Sequence, residues 1–273
     1  DQCPSALISG SLDRVTEENL ASKTMFQVLV ARSDCAANLD THADPDGLLR
    51  TKAFLSVGHD EYWTRQMFDH VKRARDAGVD LLFLSGNAVS GEVFLSTSSD
   101  GRPNRVMGRT KDFTDEQLLM GAASYGVGLG DWMVTNADHW IYATTGLRDG
   151  DRIPHLVGWE YHGHPLREDP TLVVAGKAEY RKDREQPRAG HAATIYDGPK
   201  GNFVFNAGTC WWSMALAAPP GFQNPPDVDF SEPDPRVQQM TKNLFERVLT
   251  RGESVEAALR PASGFVAKVT APQ

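Results

Sequence analysis

The stretch AFLSVGHDEYW at residues 53–63, a helical pattern after it, and VDLLFLSGN at residues 79–87 decide how this chain folds. Ala53 to Val57 is a short, mainly apolar run closed by Gly58, the make-up of a strand buried on both faces. Beyond it, Trp63, Met67, Val71 and Ala74 recur at spacings of four, four and three. That spacing gathers them on one helical face and leaves Arg65, Lys72, Arg73 and Arg75 for solvent. Asp60 reads as a cap at the head of the helix and Gly78 as its stop. Val79 to Leu84 is then a second buried strand, so strand, crossover helix and strand form a right-handed βαβ unit with parallel strands.

Working outward, further strands are expected at Met25 to Val30, Thr171 to Ala175, His191 to Tyr196 and Asn202 to Asn206. The turn residues Pro199, Lys200 and Gly201 make the last two a hairpin. A terminal helix is expected from Pro235 to Thr250, capped by Asp234, with Val237, Met240, Leu244, Phe245 and Val248 as its buried stripe. The Pro-rich stretch 214–235 reads as a surface excursion, and the tail after Gly252 is weakly patterned. Residues 96–168 are rich in Gly, Arg and Asp, with aromatic islands at Tyr125, Trp132, Trp140, Tyr142, Trp159 and Tyr161. A structureless loop of that length is implausible, so this is expected to be an inserted lobe. The organisation predicted is a single α/β domain, core at about 25–95 and 170–250, insertion at about 96–168.

Composition excludes several function classes. The net charge of −8 argues against a nucleic-acid partner, which would need a basic face. No run of ~18 apolar residues offers a membrane span, and no signal-peptide pattern is visible. Cys3, Cys35 and Cys210 make no disulfide framework, although a Cys3–Cys35 bridge is conceivable. Together these suggest a cytoplasmic protein. The chain begins Asp1-Gln2-Cys3, which reads as the C-terminal part of something longer.

In open parallel sheets, ligands bind beyond the carboxyl ends of the strands. Three segments arrive there: Gly58 to Trp63, Ser85 to Asn87, and Asn206 to Trp212. In the first, His59, Asp60, Glu61 and Tyr62 offer an acid/base pair or metal ligands, with simple capping as the plain reading of Asp60. In the third, Cys210 stands where a hydrolase nucleophile can stand, but the two tryptophans after it favour a buried, inert thiol. In the lobe, His162 and His164 share a strand face with Glu160, a spacing compatible with a metal. Gly163 and Pro165 argue instead for a loop with solvated histidines. The glycines of 126–130 lack the preceding strand and the Lys-Ser/Thr ending of a phosphate loop.

The words SVGHDEYW (56–63), LSGNAV (84–89), VTNADHWIYATTGLRDGDRIPHLVGWEY (134–161), HAATIYDGP (191–199), VFNAGTCWWS (204–213) and DPRVQQMTKNLFERVL (234–249) carry a resemblance. Over roughly residues 38–250 the chain resembles the C-terminal domain of N,N-dimethylformamidase large (beta) subunits and their relatives. The resemblance implies a mostly parallel sheet of class I glutamine-amidotransferase-like, flavodoxin-like type. It also implies a mononuclear Fe(III), held by two tyrosines and a glutamate, that activates water against a small amide. Tyr62, in the His-x-Glu-Tyr strand-end motif, and Glu160, in Gly-Trp-Glu-Tyr, are the ligands it implies; His59 or Glu61 would move the proton to the leaving amine. The second tyrosine belongs after the Gly-Asn turn, where this chain has Ala88, Val89, Ser90 and Gly91. Tyr161, His162 or His59 can take its place, or the site can be metal-free. Three functions are therefore expected in competition. The first is a metal-dependent amide hydrolase; the second is a cysteine hydrolase pairing Cys210 with His59 or His191. The third is a non-catalytic domain whose Trp-rich lobe packs on carbohydrate or on another subunit. A homo-oligomer or an additional subunit is the expected assembly.

Overall fold

The computed structural model describes residues 5–9, 34–36, 38–166, 173–178, 190–217 and 233–259. Among these, nine strands form one sheet in the order β10-β9-β12-β13-β14-β5-β3-β1-β2. Their ranges are β1 Ser5–Ser9, β2 Asp34–Ala36, β3 Thr51–His59, β5 Asp80–Gly86, β9 Gly130–Val134, β10 Arg152–Val157, β12 Val173–Ala178, β13 His191–Asp197 and β14 Phe203–Asn206. A three-stranded sheet holds β4 Tyr62–Trp63, β6 Gly91–Ser96 and β7 Val106–Asp112; a two-stranded one holds β8 Ala123–Val127 and β11 Glu160–Gly163. The helices are α1 Asn38–Ala43, α2 Arg65–Ala77, α3 Gln117–Met120 and α4 Pro235–Leu259.

The βαβ reading holds at its centre: β3 pairs parallel with β5, Ala53 opposite Asp80 through His59 opposite Gly86. On its other side β5 pairs parallel with β14. The expectation of a mostly parallel sheet stops there. All the remaining pairings in the large sheet, from β1–β2 and β1–β3 to β9–β10, are antiparallel, so the architecture is mixed α/β. The hairpin at 199–201 explains one of them: a tight turn returns β14 against β13 and can only give antiparallel neighbours.

The central strands are buried on both faces, which is why they read as continuous apolar runs. Phe54, Leu81, Phe83 and Val204 pack on one side with Met67, Phe68, Val71 and Ala74 of α2. Leu55, Leu82, Leu84 and Phe205 pack on the other with Val237, Met240, Leu244, Phe245 and Val248 of α4, the stripe expected for the terminal helix. Burying each large side chain in these layers contributes about 1.5–3 kcal/mol. Asp234 caps α4 by accepting from Arg236 N at 2.8 Å. That helix runs on to Leu259, past the weakly patterned Gly252.

The start of α2 differs from expectation. Its cap is Thr64, whose Oγ1 accepts from Met67 N at 3.1 Å, and Trp63 lies in β4, fully buried, rather than on the helix. Two extended residues, Tyr62 and Trp63, separate β3 from α2, so Asp60 is too far upstream to cap. Gly78 ends the helix at φ 110°, a left-handed conformation that glycine adopts without a Cβ penalty.

The stretch read as an inserted lobe supplies β9 and β10 to the large sheet, and Trp132, Tyr142 and Ile153 to the core under α4. The expected strand at Met25 to Val30 lies outside the described residues. So does most of the Pro-rich excursion, of which Ala215 and Leu216 are buried against the core. No helix among the described residues is long and apolar enough to cross a membrane.

Candidate functional site

β3, β5 and β14 deliver three chain segments to one end of the large sheet, and β11 is laid across that end. Its position is fixed by the loop after β14. Cys210 N donates to Gly158 O at 2.8 Å, His162 N donates to Gly208 O at 3.0 Å, and Tyr161 bridges to Thr209. The Thr209 hydroxyl staples the same crossing, donating to Leu156 O and Gly158 O and accepting from Gly158 N. Glu160 is thereby carried over the tip of β3.

There it meets His59. Glu160 Oε2 lies 2.6 Å from His59 Nε2, and Glu61 Oε2 lies 3.6 Å from the same nitrogen. Glu61 Oε1 is held by Arg109 Nη1 at 2.8 Å, and Arg109 stands over the Tyr62 ring at 5.9 Å. The Tyr62 phenol hydrogen-bonds Glu61, and that bond, with the carboxylate's charge, holds it above the usual tyrosine range; Glu160 adds to the effect. Trp159 stacks on the imidazole of His59, centroids 5.0 Å apart and planes 25° apart. All four residues singled out in the sequence, His59, Glu61, Tyr62 and Glu160, therefore converge. The two carboxylates are largely enclosed, while Tyr62 and Trp159 stand 39% and 47% exposed and form the mouth.

Behind the cluster lies a buried polar layer. Asp60 accepts from Ser56 Oγ at 2.8 Å and from Asn38 Nδ2 at 3.4 Å; burial pushes its carboxyl up. The turn after β5 carries Asn87 at φ 50° and Val89 at φ 57°, the latter a rare conformation for a β-branched side chain. Asn87 Nδ2 is 3.3 Å from His59 Nε2. The turn is tied down by Val89 N to Asp60 O at 3.1 Å and by Gly91 N to Glu61 O at 2.9 Å.

Other candidates do not join the cluster. His162 is fully buried; its Nε2 accepts from Ala88 N at 3.0 Å and its Nδ1 meets Asn206 Oδ1 at 2.8 Å. Both ring nitrogens are thus engaged, and burial drives the imidazole down to about 4. His164 is exposed beyond the end of β11. The metal triplet of Glu160, His162 and His164 suggested by spacing is therefore not assembled. Cys210 is buried with its Sγ directed to Glu160 O at 3.5 Å, and burial pushes the thiol up to about 12, the opposite of what a nucleophile needs. His191, its other proposed partner, bonds Ala207 O at 2.8 Å.

Could the cluster hold a metal? Among the described residues no three His, Cys, Asp or Glu side chains are grouped to hold one by themselves, so an ion here would need the Tyr62 phenol. The donor set fits. Glu160 Oε2 is buried and lies 2.6 Å from His59 Nε2 without a well-formed hydrogen bond, which leaves it a lone pair to offer. Phenol and carboxylate oxygens suit a hard ion. Arg109 was invisible to sequence reasoning: it sits on the exposed strand β7 with no pattern to mark it. Trp159 had a signal, as the residue before Glu160 in the aromatic-rich stretch.

A family model described as N,N-dimethylformamidase beta subunit-like, C-terminal, matches residues 31–227, and the chain belongs to that family. No curated protein matches the chain.

Proposed function

We propose that this member of the family is a metal-dependent amide hydrolase whose active site is the His59, Glu61, Tyr62 and Glu160 cluster. The observation that carries the reading is the buried Glu160 oxygen, 2.6 Å from His59 Nε2 yet without a well-formed hydrogen bond, beside a phenol and a second carboxylate. Tyr62 and Glu160 would hold the ion, Fe(III) by the resemblance. Such an ion polarises an amide carbonyl and acidifies water.

The chain's own residues do the rest. His59, with its Nε2 facing both carboxylates, takes a proton from the attacking water and returns it to the leaving amine nitrogen. Glu61, pinned by Arg109, keeps its second oxygen toward that imidazole. Trp159 restrains the imidazole plane and screens it from bulk water. The substrate is a small amide, entering between Tyr62 and Trp159. The "beta subunit-like" description of the family supports assembly with an additional subunit. The three parallel strands with a site at their carboxyl ends support kinship with glutamine-amidotransferase-like domains.

The rival readings have less behind them. Trp132, Tyr142 and Tyr161 are buried, and Trp140 packs on Phe203, so the aromatic residues of the lobe are mostly core rather than a binding face.

Elemental analysis of the purified chain, with its visible spectrum, tests the proposal. Bound iron with tyrosinate charge-transfer absorbance is expected, and Tyr62→Phe and Glu160→Gln should each lose the colour and at least about 100-fold of amide hydrolysis. An intact, metal-free protein with turnover indifferent to both substitutions would overturn it.

A further inference from the structure

We propose that Asn87 and His162 are positioning residues for His59: His162 clamps the turn after β5, and the clamped turn sets the Asn87 amide against His59 Nε2. The proposal rests on the hydrolase reading above for its kinetic consequences, while the clamp itself can be judged without it.

Start from His162. A backbone N–H can only donate, so Ala88 N at 3.0 Å requires a lone pair on His162 Nε2. The ring proton is then on Nδ1 and is donated to Asn206 Oδ1 at 2.8 Å. That oxygen is itself fixed, because it also accepts from Gly208 N at 2.9 Å. Complete burial keeps the imidazole neutral and in this one tautomer. His162 is therefore a rigid strut between the loop after β14 and the turn after β5.

The peptide it grips lies between Asn87 and Val89, both in the left-handed region. Asparagine tolerates that conformation but a β-branched valine does not, so the turn is held at Val89 from outside. His162 holds its middle and Asp60 O its end. The Asn87 side chain is oriented in turn: its Oδ1 accepts from the Ser124 hydroxyl, which leaves Nδ2 facing His59 Nε2 at 3.3 Å. With Glu160 Oε2 at 2.6 Å and Glu61 Oε2 at 3.6 Å from the same nitrogen, the Asn87 amide is a third polar group that fixes where His59 Nε2 sits. Two strands of the small sheet, β8 through Ser124 and β11 through His162, thus set the base on β3.

Three variants and one pair test this. Asn87→Gly keeps the left-handed turn and removes the amide. His162→Leu removes both strut contacts. His162→Gln can restore both, since its carbonyl accepts from Ala88 N and its amide donates to Asn206. Asn87→Gly and His162→Leu should each lower kcat about 10- to 100-fold with KM within about threefold, while His162→Gln stays within about threefold of the parent. The double variant Asn87→Gly/His162→Leu should be no worse than the poorer single one, because both act through one contact. Full kcat in Asn87→Gly or in folded His162→Leu, or losses that multiply in the pair, would overturn the proposal. Should the parent show no amide turnover, the hydrolase reading fails, and the clamp is read from the Asn87 side-chain amide signals in NMR. They should move to solvent-exposed values in His162→Leu but not in His162→Gln; unmoved signals in His162→Leu, or the same loss in both variants, sink it.

Discussion

Gly86→Ala should damage the site more than the fold. Gly86 ends β5, level with His59 across the parallel pair, and the backbone of β11 crosses directly over it. A Cβ there would press into the carbonyl oxygen of Glu160 and lie 2.6 Å from Cys210 N and 2.8 Å from Cys210 Sγ. Against an ordinary contact of 3.4 Å, the nitrogen alone is short by about 0.8 Å. Backbone must therefore retreat, and the backbone in question carries Glu160. Overpacking of this kind costs about 1–3 kcal/mol, which urea unfolding will read. Moving Glu160 by nearly an ångström also breaks its approach to His59, and a 1 Å error of placement costs about 100-fold in kcat/KM. Adding Cys210→Ala removes the sulfur contact but leaves both backbone clashes, so the double variant should not recover. Unchanged kcat/KM in Gly86→Ala, or recovery in the double variant, would refute the idea that close passage of β11 over Gly86 places Glu160.

Cys210→Ala alone should keep amide hydrolysis intact and cost about 1 kcal/mol of stability, since its thiol is buried and pushed up to about 12; loss of turnover in a folded variant would revive the cysteine mechanism. Asp80 gives a pH signature: it is buried against Arg251, 3.0 Å away, and burial raises its carboxyl from 3.8 to about 6. The folded state then holds the proton more tightly than the unfolded one, so the stabilisation is complete below about 3.8 and is lost as pH rises through 6. Between pH 4 and 7 the parent should lose roughly 2 kcal/mol more than Asp80→Asn in urea unfolding, and a flat or reversed difference would count against it.

Much of the core was legible because its signals are local. Ala53 to Val57, Gly78 and Val79 to Leu84 each depend on neighbours a few residues away, and the α4 stripe repeats at helical spacing over about three turns. The failures share a cause as well. An apolar run marks a strand without saying which way its neighbour runs, so nothing in the sequences of β12, β9 or β1 announced the mixed sheet. Asp60 has the chemistry of a cap, but the extended pair Tyr62 and Trp63 intervenes, and the carboxylate turns inward to Ser56 instead.

The site divides along the same line. His59, Glu61 and Tyr62 are consecutive enough to be noticed together, and strand-end position gave the reason to look. Glu160 reaches them only because Thr209, Cys210 and Gly208 bind β11 across the sheet, an arrangement no spacing encodes. Only the family resemblance pointed to it. His162 shows why spacing misled: two residues from Glu160 on one strand, it looked like a co-ligand. An extra residue on β8 shifts the register between Tyr161 and His162, and the ring is spent on Ala88 and Asn206. Its place is beneath the site, holding a turn that would not hold itself. Arg109 is the converse case. Sequence gave it no distinction, yet it neutralises one oxygen of Glu61 from an exposed strand. A Cβ at Gly91 would lie 3.1 Å from the Tyr62 ring and 3.4 Å from both Arg109 and Glu61, so the absence of a side chain there lets these three groups close on one another.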